Sequence, residues 1–303
     1  MRPLRGIAYK LAAVTLFITM GALLKATSHH VPAGEMVFFR SLFALPVILV
    51  WLWMRKELAQ GVRTANPLGH FWRGLLGTTS MGLGFAGLGL LPFPEVTAIG
   101  YAAPLLTVIF AAMFLAERVG VFRITTVMLG MVGVLIVLSP RLSLGADVGH
   151  REALGAVLVL MGAVFSALAQ VTLSKLVVTE RTPTIVFWFS VTALMLSLVT
   201  LPFGWVVPTP TEAGLLVMAG LLGGMGQIFL TSSYREADAS VVAPFDYASI
   251  LFALGIGYFV FDEVPTATML GGASLVIAAG FLIIWRERKL GLERAKQRKA
   301  MTP

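Results

Sequence analysis

A stretch of about twenty apolar residues occurs twice in this chain, at residues 94–119 and again 146 positions later, at 240–265. Sliding the first copy onto the second aligns Tyr101 with Tyr247. Further matches in the same register are Leu105 with Leu251, Glu117 with Glu263, and Gly-Leu-Leu-Gly at 74–77 with the same segment at 220–223. A single ungapped register over more than forty residues is an internal repeat, and each copy predicts the same structural unit.

The composition of the chain favours a membrane environment. Of its 303 residues, 57% are hydrophobic and 13% are charged, and the mean hydropathy is +0.88. Soluble domains carry about 25% charged residues, so this chain lacks the polar surface that a large water-soluble enzyme needs. The absence of cysteine excludes disulfide bonds, a thiol nucleophile and a cysteine-ligated metal. We therefore expect an integral membrane protein without a cofactor or a bound metal.

Ten apolar windows are long enough to cross a bilayer, for which a helix needs about 20 residues. The first one follows Arg2 and Arg5 and extends to about Leu24, which is too long for the apolar core of a signal peptide, so it predicts a retained helix. The ten predicted helices lie near residues 6–26, 35–54, 72–91, 95–115, 121–138, 153–174, 184–203, 213–233, 240–260 and 266–285.

The repeat divides these ten helices into two groups of five. We assign residues 1–140 to the first repeat, 141–152 to a linker, 153–288 to the second repeat and 289–303 to a basic tail. Because five is an odd number, the second repeat must enter the membrane upside down relative to the first. Inverted repeats are the build of many secondary transporters, whose substrate site lies near mid-membrane between the halves. The predicted fold class is an all-α integral membrane protein with ten transmembrane helices in two inverted repeats.

The positions of lysine and arginine predict the orientation of these helices. With the N-terminus inside, the cytoplasmic segments hold 19 of the 23 basic residues and the outer segments hold three, with Arg40 inside a span. This count places Lys10 and Arg73 among the cytoplasmic residues. Basic residues favour the cytoplasmic side, so we expect a multi-pass protein with both termini cytoplasmic. The tail is expected to lie as a helix on the membrane surface, where it anchors the topology or contacts anionic lipids.

The motifs of the chain resemble those of the drug/metabolite transporter (DMT) superfamily, EamA type. They are Leu-Ala-Glu117-Arg-Val and Phe-Asp-Glu263-Val-Pro at the ends of helices 4 and 9, the segment 35–40 that opens helix 2, and glycines 133 and 280 in helices 5 and 10. The resemblance covers nearly the whole chain. It implies a carrier of the cell inner membrane, in a family whose members mostly export amino acids and other metabolites. It also implies a cavity lined by helices 1, 3, 4, 6, 8 and 9.

Tyr101 is the first candidate for substrate binding, on a predicted helical stripe with Thr97, Pro104 and Val108. Its ring could stack on a substrate and its hydroxyl could form a hydrogen bond. The alternative is a packed tyrosine that bonds to a neighbouring helix. Because the repeat places Tyr247 at the equivalent position, we favour a role for both in lining the cavity. Pro104 is expected to free a backbone carbonyl and to kink the helix.

Polar and aromatic side chains of other predicted helices complete the candidate site. Polar groups are costly in lipid, so the helix faces that carry them should point inward. Hydrogen bonds between helices explain such residues as well as a substrate does. The candidates, besides the two tyrosines, are Gln170, Gln227, Thr78, Ser80, Phe17 and Trp188.

Asp246 is a carboxylate about seven residues inside helix 9, where an acid needs a partner, a proton or water. In one interpretation it couples transport to protons, with its affinity for a proton raised by desolvation. In the other it is a structural anchor that bonds to a neighbouring helix. The first repeat has Gly100 at this position, so the function would not be duplicated.

Arg40 is a second charge within a predicted span. A salt bridge with Glu35 or Glu95 near the outer edge is the favoured interpretation, and binding of an anionic substrate group is the alternative. Asp246 is not expected to reach it, because the topology places the two toward opposite faces. Lys25 and Lys175 end helices 1 and 6 and are expected to extend to the membrane interface.

The remaining motifs do not indicate an enzyme. Residues 82–87 form a Gly-x-Gly-x-x-Gly pattern, but it lies inside a predicted span and lacks the strand and the acidic residue of a dinucleotide site. The four histidines are in loops or at span ends, without the spacing of metal ligands. A membrane-embedded enzyme and a non-transporting scaffold therefore remain secondary hypotheses.

The function predicted from the sequence is secondary active transport of a small amphipathic metabolite by alternating access. Aromatic residues near the centre favour an amino-acid-like substrate, aromatic or hydrophobic, and the resemblance favours export over uptake. The expected partners are the substrate, the lipid bilayer and, in one interpretation, protons. No nucleic acid is expected, and the sequence leaves the oligomeric state open.

Overall fold

The computed structural model describes residues 3–114, 121–142, 150–236, 245–246 and 248–301, and all regular structure in these ranges is helical. A helix satisfies its backbone hydrogen bonds internally, which an apolar chain in lipid requires. The helices are α1 (Pro3–Thr27), α2 (Ala33–Met54), α3 (Leu58–Gly61), α4 (Pro67–Leu88), α5 (Phe93–Gly100), α6 (Ala102–Phe114), α7 (Val121–Leu142), α8 (His150–Thr179), α9 (Thr182–Leu198), α10 (Pro210–Glu236), α11 (Ala248–Phe261) and α12 (Ala267–Met301).

Most of these helices have the length or the apolar character of membrane spans. Five are both long and apolar enough to cross a bilayer: α1, α2, the α5–α6 pair, α8 and α10. Shorter apolar segments of 10–17 residues lie within α7, α9, α11 and α12. Helix α4 contains the buried side chains of His70 and Arg73, which lower its apolar character. Within the described residues, each of the ten windows predicted from the sequence contains a helix or a helix pair.

The fourth predicted helix is interrupted at its centre. Helix α5 ends at Gly100 and α6 begins at Ala102, with Tyr101 in a turn between them. Pro104 has no backbone N–H to offer to the carbonyl of Gly100, and its ring crowds that carbonyl. The kink expected at Pro104 is therefore a one-residue turn at Tyr101, whose backbone angles (φ −69°, ψ −5°) stay in the right-handed helical region. The stripe through Tyr101 stays a prediction, since α5 and α6 together form one apolar span of 22 residues.

Helices of the first half pack against helices of the second half. Several of these contacts have a counterpart in which the two halves change roles. Helix α1 packs on α10 as α8 packs on α4, and α2 packs on α10 as α9 packs on α4. Likewise, α1 contacts α11 as α8 contacts α6. The pairs α2–α9 and α7–α12 join equivalent helices directly. This pairing is that of two repeats related by a pseudo-two-fold axis, and the interface between the repeats is the interior of the protein.

Helices α7 and α12 approach each other closely through two glycines. A Cβ built on Gly272 would lie 2.6 Å from the carbonyl oxygen of Gly133, and one built on Gly133 would lie 2.7 Å from that of Gly272. Small residues permit such close approach of helix backbones in membranes. The neighbouring Gly271 has open space around its Cβ position.

Substitution of these two adjacent glycines should have opposite effects on stability. Gly272→Ala should reduce the free energy of unfolding by about 1–3 kcal/mol, because the helices must separate around the added methyl group. Gly271→Ala is the matched control and should be neutral or stabilising by up to about 1 kcal/mol, since alanine favours the helix. Thermal unfolding in detergent measures both, and equal melting temperatures for the two variants would contradict the packing described here.

Candidate functional site

Two arginines from different helices meet at one aromatic ring in the interior. The guanidinium carbon of Arg73, on α4, lies 4.4 Å from the ring centroid of Phe189, on α9. That of Arg40, on α2, lies 5.5 Å from the same centroid. The side chains are buried, with relative exposures of 1% for Arg40 and 6% for Arg73. We refer to Arg40, Arg73 and Phe189 as the arginine cluster.

The arginine cluster contains hydrogen-bond donors without acceptors. Nε and Nη1 of Arg40 and Nε of Arg73 are buried and have no hydrogen-bond partner. Neither arginine forms a salt bridge with a carboxylate of the described residues. A cation in the membrane interior normally pairs with an anion or with backbone carbonyls, so two unpaired cations are an unusual arrangement.

The salt bridge predicted between Arg40 and Glu35 or Glu95 is therefore wrong. Glu35 Oε2 instead accepts a hydrogen bond of 3.0 Å from the backbone N–H of Val206, in the connection that follows α9. Five residues separate Glu35 from Arg40, which turns their side chains about 140° apart around α2. The acid thus holds a loop while the arginine points toward α9.

The arginine cluster lies where equivalent positions of the two repeats meet. Aligning Val-Phe-Phe-Arg-Ser at 37–41 with Val-Phe-Trp-Phe-Ser at 186–190 makes Arg40 the counterpart of Phe189, and these two are in contact. Gly77 and Gly223 are also counterparts in the repeat. A Cβ at Gly223 would lie 3.0 Å from Nε of Arg40, and one at Gly77 would collide with Nη1 of Arg73. Each arginine therefore occupies space that a glycine leaves open.

Three buried hydroxyl groups lie on the helices that carry the arginine cluster. The hydroxyls of Ser41, Ser190 and Thr78 are buried and have no hydrogen-bond partner among the described residues. Ser41 and Ser190 are counterparts in the repeat, and each follows directly on a member of the cluster. Thr78 is one of the site residues predicted from the sequence. The interior thus combines unpaired cationic and neutral donors.

A separate ion pair involves Asp246. Its Oδ2 lies 2.8 Å from Nζ of Lys10, on α1, and the lysine side chain is buried while that of Asp246 is 35% exposed. Lys10 also donates a hydrogen bond of 3.5 Å to the hydroxyl of Tyr234, on α10. The count of basic residues placed Lys10 on the cytoplasmic side, which stays a prediction. In the structure Lys10 is buried within the helix bundle and is the partner that an acid within a span requires.

Tyr101 links the break between α5 and α6 to the start of α11. Its buried hydroxyl donates a hydrogen bond of 2.8 Å to the backbone carbonyl of Asp246 and also contacts the hydroxyl of Ser249. The hydroxyl of Ser249 bonds to the same carbonyl at 2.8 Å. Tyr101 thus orders the backbone at Asp246. Its predicted counterpart Tyr247 lies outside the described residues, as does Glu117.

Lys25 and Glu263 form a second ion pair between α1 and the end of α11. Nζ of Lys25 lies 3.0 Å from Oε1 of Glu263 and 2.5 Å from the carbonyl oxygen of Leu91. Oε2 of Glu263 accepts a hydrogen bond of 2.7 Å from the backbone N–H of Phe93. The expectation that Lys25 extends to the interface is wrong, because its side chain is buried at this junction. Lys175 is exposed.

The other predicted site residues have varied surroundings. Ser80 donates a hydrogen bond of 2.8 Å to the carbonyl of Gly162, which joins α4 to α8. The indole N–H of Trp188 donates to the carbonyl of Val62 at 3.0 Å and so supports the loop before α4. The ring of Phe17 lies against Gly226, at the contact of α1 with α10. Gln170 and Gln227 are half-buried, on α8 and α10.

Glu180 organises the loop before α4. Its carboxylate accepts hydrogen bonds from the hydroxyl of Thr64 and from the backbone N–H groups of Ala65 and Asn66, at 2.7–3.0 Å. Burial alone would raise the pKa of Glu180, but these bonds and the nearby His70 outweigh it and hold the pKa below its ordinary value. The carboxylate is therefore ionised at neutral pH and ties the α8–α9 connection to the start of α4.

Removing the carboxylate of Asp246 should destabilise the protein. Asp246→Asn leaves the buried ammonium of Lys10 without its counter-ion, which should cost less than the roughly 3–5 kcal/mol of a fully buried pair, because Asp246 is 35% exposed. The double variant Lys10→Met/Asp246→Asn removes both charges and should recover most of that loss. Thermal unfolding in detergent measures the three proteins. If the double variant were no more stable than Asp246→Asn, the ion pair would not be the source of the effect.

The fold and these charges together define a class of protein. The two sets of helices are related by a pseudo-two-fold axis, and buried charged groups lie at the interface between them. That combination is typical of membrane transporters built from inverted repeats.

Comparisons with known proteins agree with this class. The model of the EamA-like transporter family matches residues 4–139 and 153–285. The pseudopaline exporter CntI of Pseudomonas aeruginosa is 32% identical over 90% of this chain and 94% of its own. An S-adenosylmethionine uptake transporter of Rickettsia felis is 27% identical over 94% of each chain. A riboflavin transporter of Rhizobium johnstonii is 30% identical over 94% of this chain and 90% of its own.

A solved crystal structure shares the fold, with a TM-score of 0.70 and 19% identity over 96% of this chain and 99% of the other. The family match covers most of the sequence in two segments. The chain belongs to the EamA-like transporter family, within the drug/metabolite transporter superfamily. It is a multi-pass membrane transporter, and small molecules are the substrates that such homologues imply.

Proposed function

We propose that the protein is a secondary active transporter that moves a small amphipathic, amino-acid-like metabolite across the cell inner membrane, with both termini in the cytoplasm. Export is the favoured direction. The observation that carries the proposal is the arginine cluster, which is buried at the interface between the two repeats. A substrate bound there would contact both halves, so movement of one half against the other would change its access.

Two ion pairs join α1 to the ninth predicted helix at its opposite ends and support alternating access. Lys10 and Lys25 are 15 residues apart on α1, a rise of about 22 Å along a helix. Lys10 pairs with Asp246 before α11 begins, and Lys25 pairs with Glu263 after α11 ends. We propose that each pair closes one end of the substrate pathway. Opening to the outside then requires separation of Lys25 from Glu263 while the inner pair holds.

Asp246 is the proposed coupling group. Protonation would remove its charge and weaken its attraction to Lys10, so a proton and the inner ion pair would compete for the same carboxylate. The bond from Tyr101 to the backbone of Asp246 would transmit that change to α5 and α6. A proton gradient would in this way bias which end of the pathway opens.

The substrate class is proposed from the aromatic and amide side chains of the candidate site. Tyr101 and Phe17 would supply aromatic surface, while Gln170 and Gln227 would supply both donors and acceptors; the sequence adds Tyr247 as the counterpart of Tyr101. The relatives are named for chemically different solutes, so they support transport without defining the substrate. An uptake carrier is the second candidate, because an S-adenosylmethionine uptake transporter is among them. A membrane-embedded enzyme or a non-transporting scaffold is not favoured, because the family model that matches the chain is that of a transporter family.

Saturable flux of a labelled amino acid in proteoliposomes should demonstrate the proposed activity. Phenylalanine, leucine and their relatives are the first candidates, and Gln227→Ala should reduce flux about tenfold if its amide bonds to the substrate. Ser274→Ala is the control, because Ser274 is exposed on α12 and bonds only within its own helix. Absence of saturable flux for every amino acid tested would count against this substrate class, and wild-type flux in Gln227→Ala would remove that residue from the site.

Proton coupling should disappear when the inner ion pair is removed. The double variant Lys10→Met/Asp246→Asn is expected to transport with a rate that no longer responds to an imposed pH gradient, because its titratable carboxylate is gone. Wild-type vesicles should respond, and Ser274→Ala vesicles should respond equally. If the double variant responded to the pH gradient as the wild type does, the proposed coupling role of Asp246 would be contradicted.

A further inference from the structure

Two buried cations that share one ring and lack an anion are the least satisfied groups in the described interior. Phe189 contributes a favourable cation–π contact to both guanidinium groups. A ring cannot accept the in-plane N–H donors, however, and Nε and Nη1 of Arg40 and Nε of Arg73 remain without partners. Like charges held at the same ring also repel each other. An anion placed between them would satisfy the donors and separate the charges at once.

The chemistry of the guanidinium group indicates which anion. It presents planar pairs of N–H donors that match the two oxygens of a carboxylate, and such bidentate bonds are stronger than neutral ones. The hydroxyls of Ser41 and Ser190 are also buried and unpartnered, although each points about 100° around its helix from Arg40 or Phe189. The adjoining surface is aromatic at Phe189. This combination fits a carboxylate attached to an apolar body.

The place of the arginines in the repeat also favours a ligand over a packing role. Arg40 and Phe189 are counterparts in contact, and Gly77 and Gly223 are counterparts that leave space for the guanidinium groups. The cluster therefore lies at the pseudo-two-fold axis, where carriers of this architecture bind their substrates. Arg73 is replaced by Ala219 in the second repeat, so the positive charge is not duplicated by symmetry.

We propose that Arg40 and Arg73 together bind the carboxylate of the transported substrate, which makes this carrier selective for small amphipathic carboxylates. This inference rests on the proposed transport function, since it assigns the anionic end of the same substrate. Gln170 and Gln227 would contact the remainder of the solute.

A binding experiment with a simple probe tests the proposal without knowledge of the natural substrate. The purified wild-type protein in detergent is heated with increasing 3-phenylpropionate at constant ionic strength, and in parallel with the uncharged 3-phenylpropionamide. The carboxylate should raise the melting temperature in a saturable manner and the amide should not, because a ligand that binds the folded state stabilises it. Equal shifts with both compounds, or none with either, would overturn the proposal.

Arginine variants separate binding from packing by the sign of their effect. Arg73→Gln and Arg40→Gln should each weaken the apparent affinity for 3-phenylpropionate at least about tenfold. Without the probe, each variant should melt at a higher temperature than the wild type, because one of two unpaired buried charges has been removed. Unchanged affinity, or a lower melting temperature in both variants, would mean that the arginines serve packing alone.

Two further variants complete the test. Arg55→Gln is the matched control, since Arg55 directly follows α2, the helix that carries Arg40, and stacks on Trp51 with about half of its side chain exposed. This variant should keep the full carboxylate shift. Gly77→Ala retains both charges but displaces the guanidinium of Arg73, so it should also reduce the affinity. A normal affinity in Gly77→Ala would overturn the placement of the carboxylate at Arg73.

Flux measurements distinguish this inference from the function on which it rests. Saturable amino-acid flux together with no carboxylate-specific stabilisation would leave transport standing and remove the arginines from the site. Carboxylate-specific stabilisation that is lost in the arginine variants, without flux of any probe in proteoliposomes, would support the anion site and contradict the proposed transport.

Discussion

The cost of burying charge in lipid determines how this protein is built. Lys10 with Asp246 and Lys25 with Glu263 meet that cost as ion pairs, and both pairs join α1 to the ninth predicted helix. The arginine cluster does not meet it within the described residues, where Arg40 and Arg73 share Phe189 and retain unused donors. Paired charges join the two halves, and the unpaired charges lie where we propose that an anionic group binds.

The interface between the repeats gives these charges their positions. Because α1 packs on α10 and α8 packs on α4, each half supplies one wall of the interior. Gly77 and Gly223 occupy the same place in their repeats, yet only the first repeat places an arginine at the contact with the second. An architecture that is symmetric in its backbone thus becomes asymmetric in charge. In the proposed site, such asymmetry would give the two ends of a substrate different partners.

Part of the candidate site could be predicted from the sequence. Arg40 and Asp246 stood out because each is a charge within an apolar window; in the structure Arg40 is buried and Asp246 pairs with the buried Lys10. Lys10 and Arg73 were counted with the cytoplasmic residues because each lies near the cytoplasmic end of its window, and hydropathy does not reveal that packing buries both side chains. The partner of Arg40 was predicted wrongly, since spacing along α2 does not reveal that Glu35 is used by the backbone of Val206.

The sequence by itself determined the architecture of this protein, because ten apolar windows and a 146-residue repeat leave few ways to satisfy a backbone in lipid. It also determined that charges lie within the spans. Only the tertiary structure decided which charges meet: Lys10 with Asp246 across 236 residues, and Arg40 with Arg73 at a ring from a third helix. The reason is physical, since hydropathy acts on each segment separately, while an ion pair depends on the distance between segments that packing alone sets.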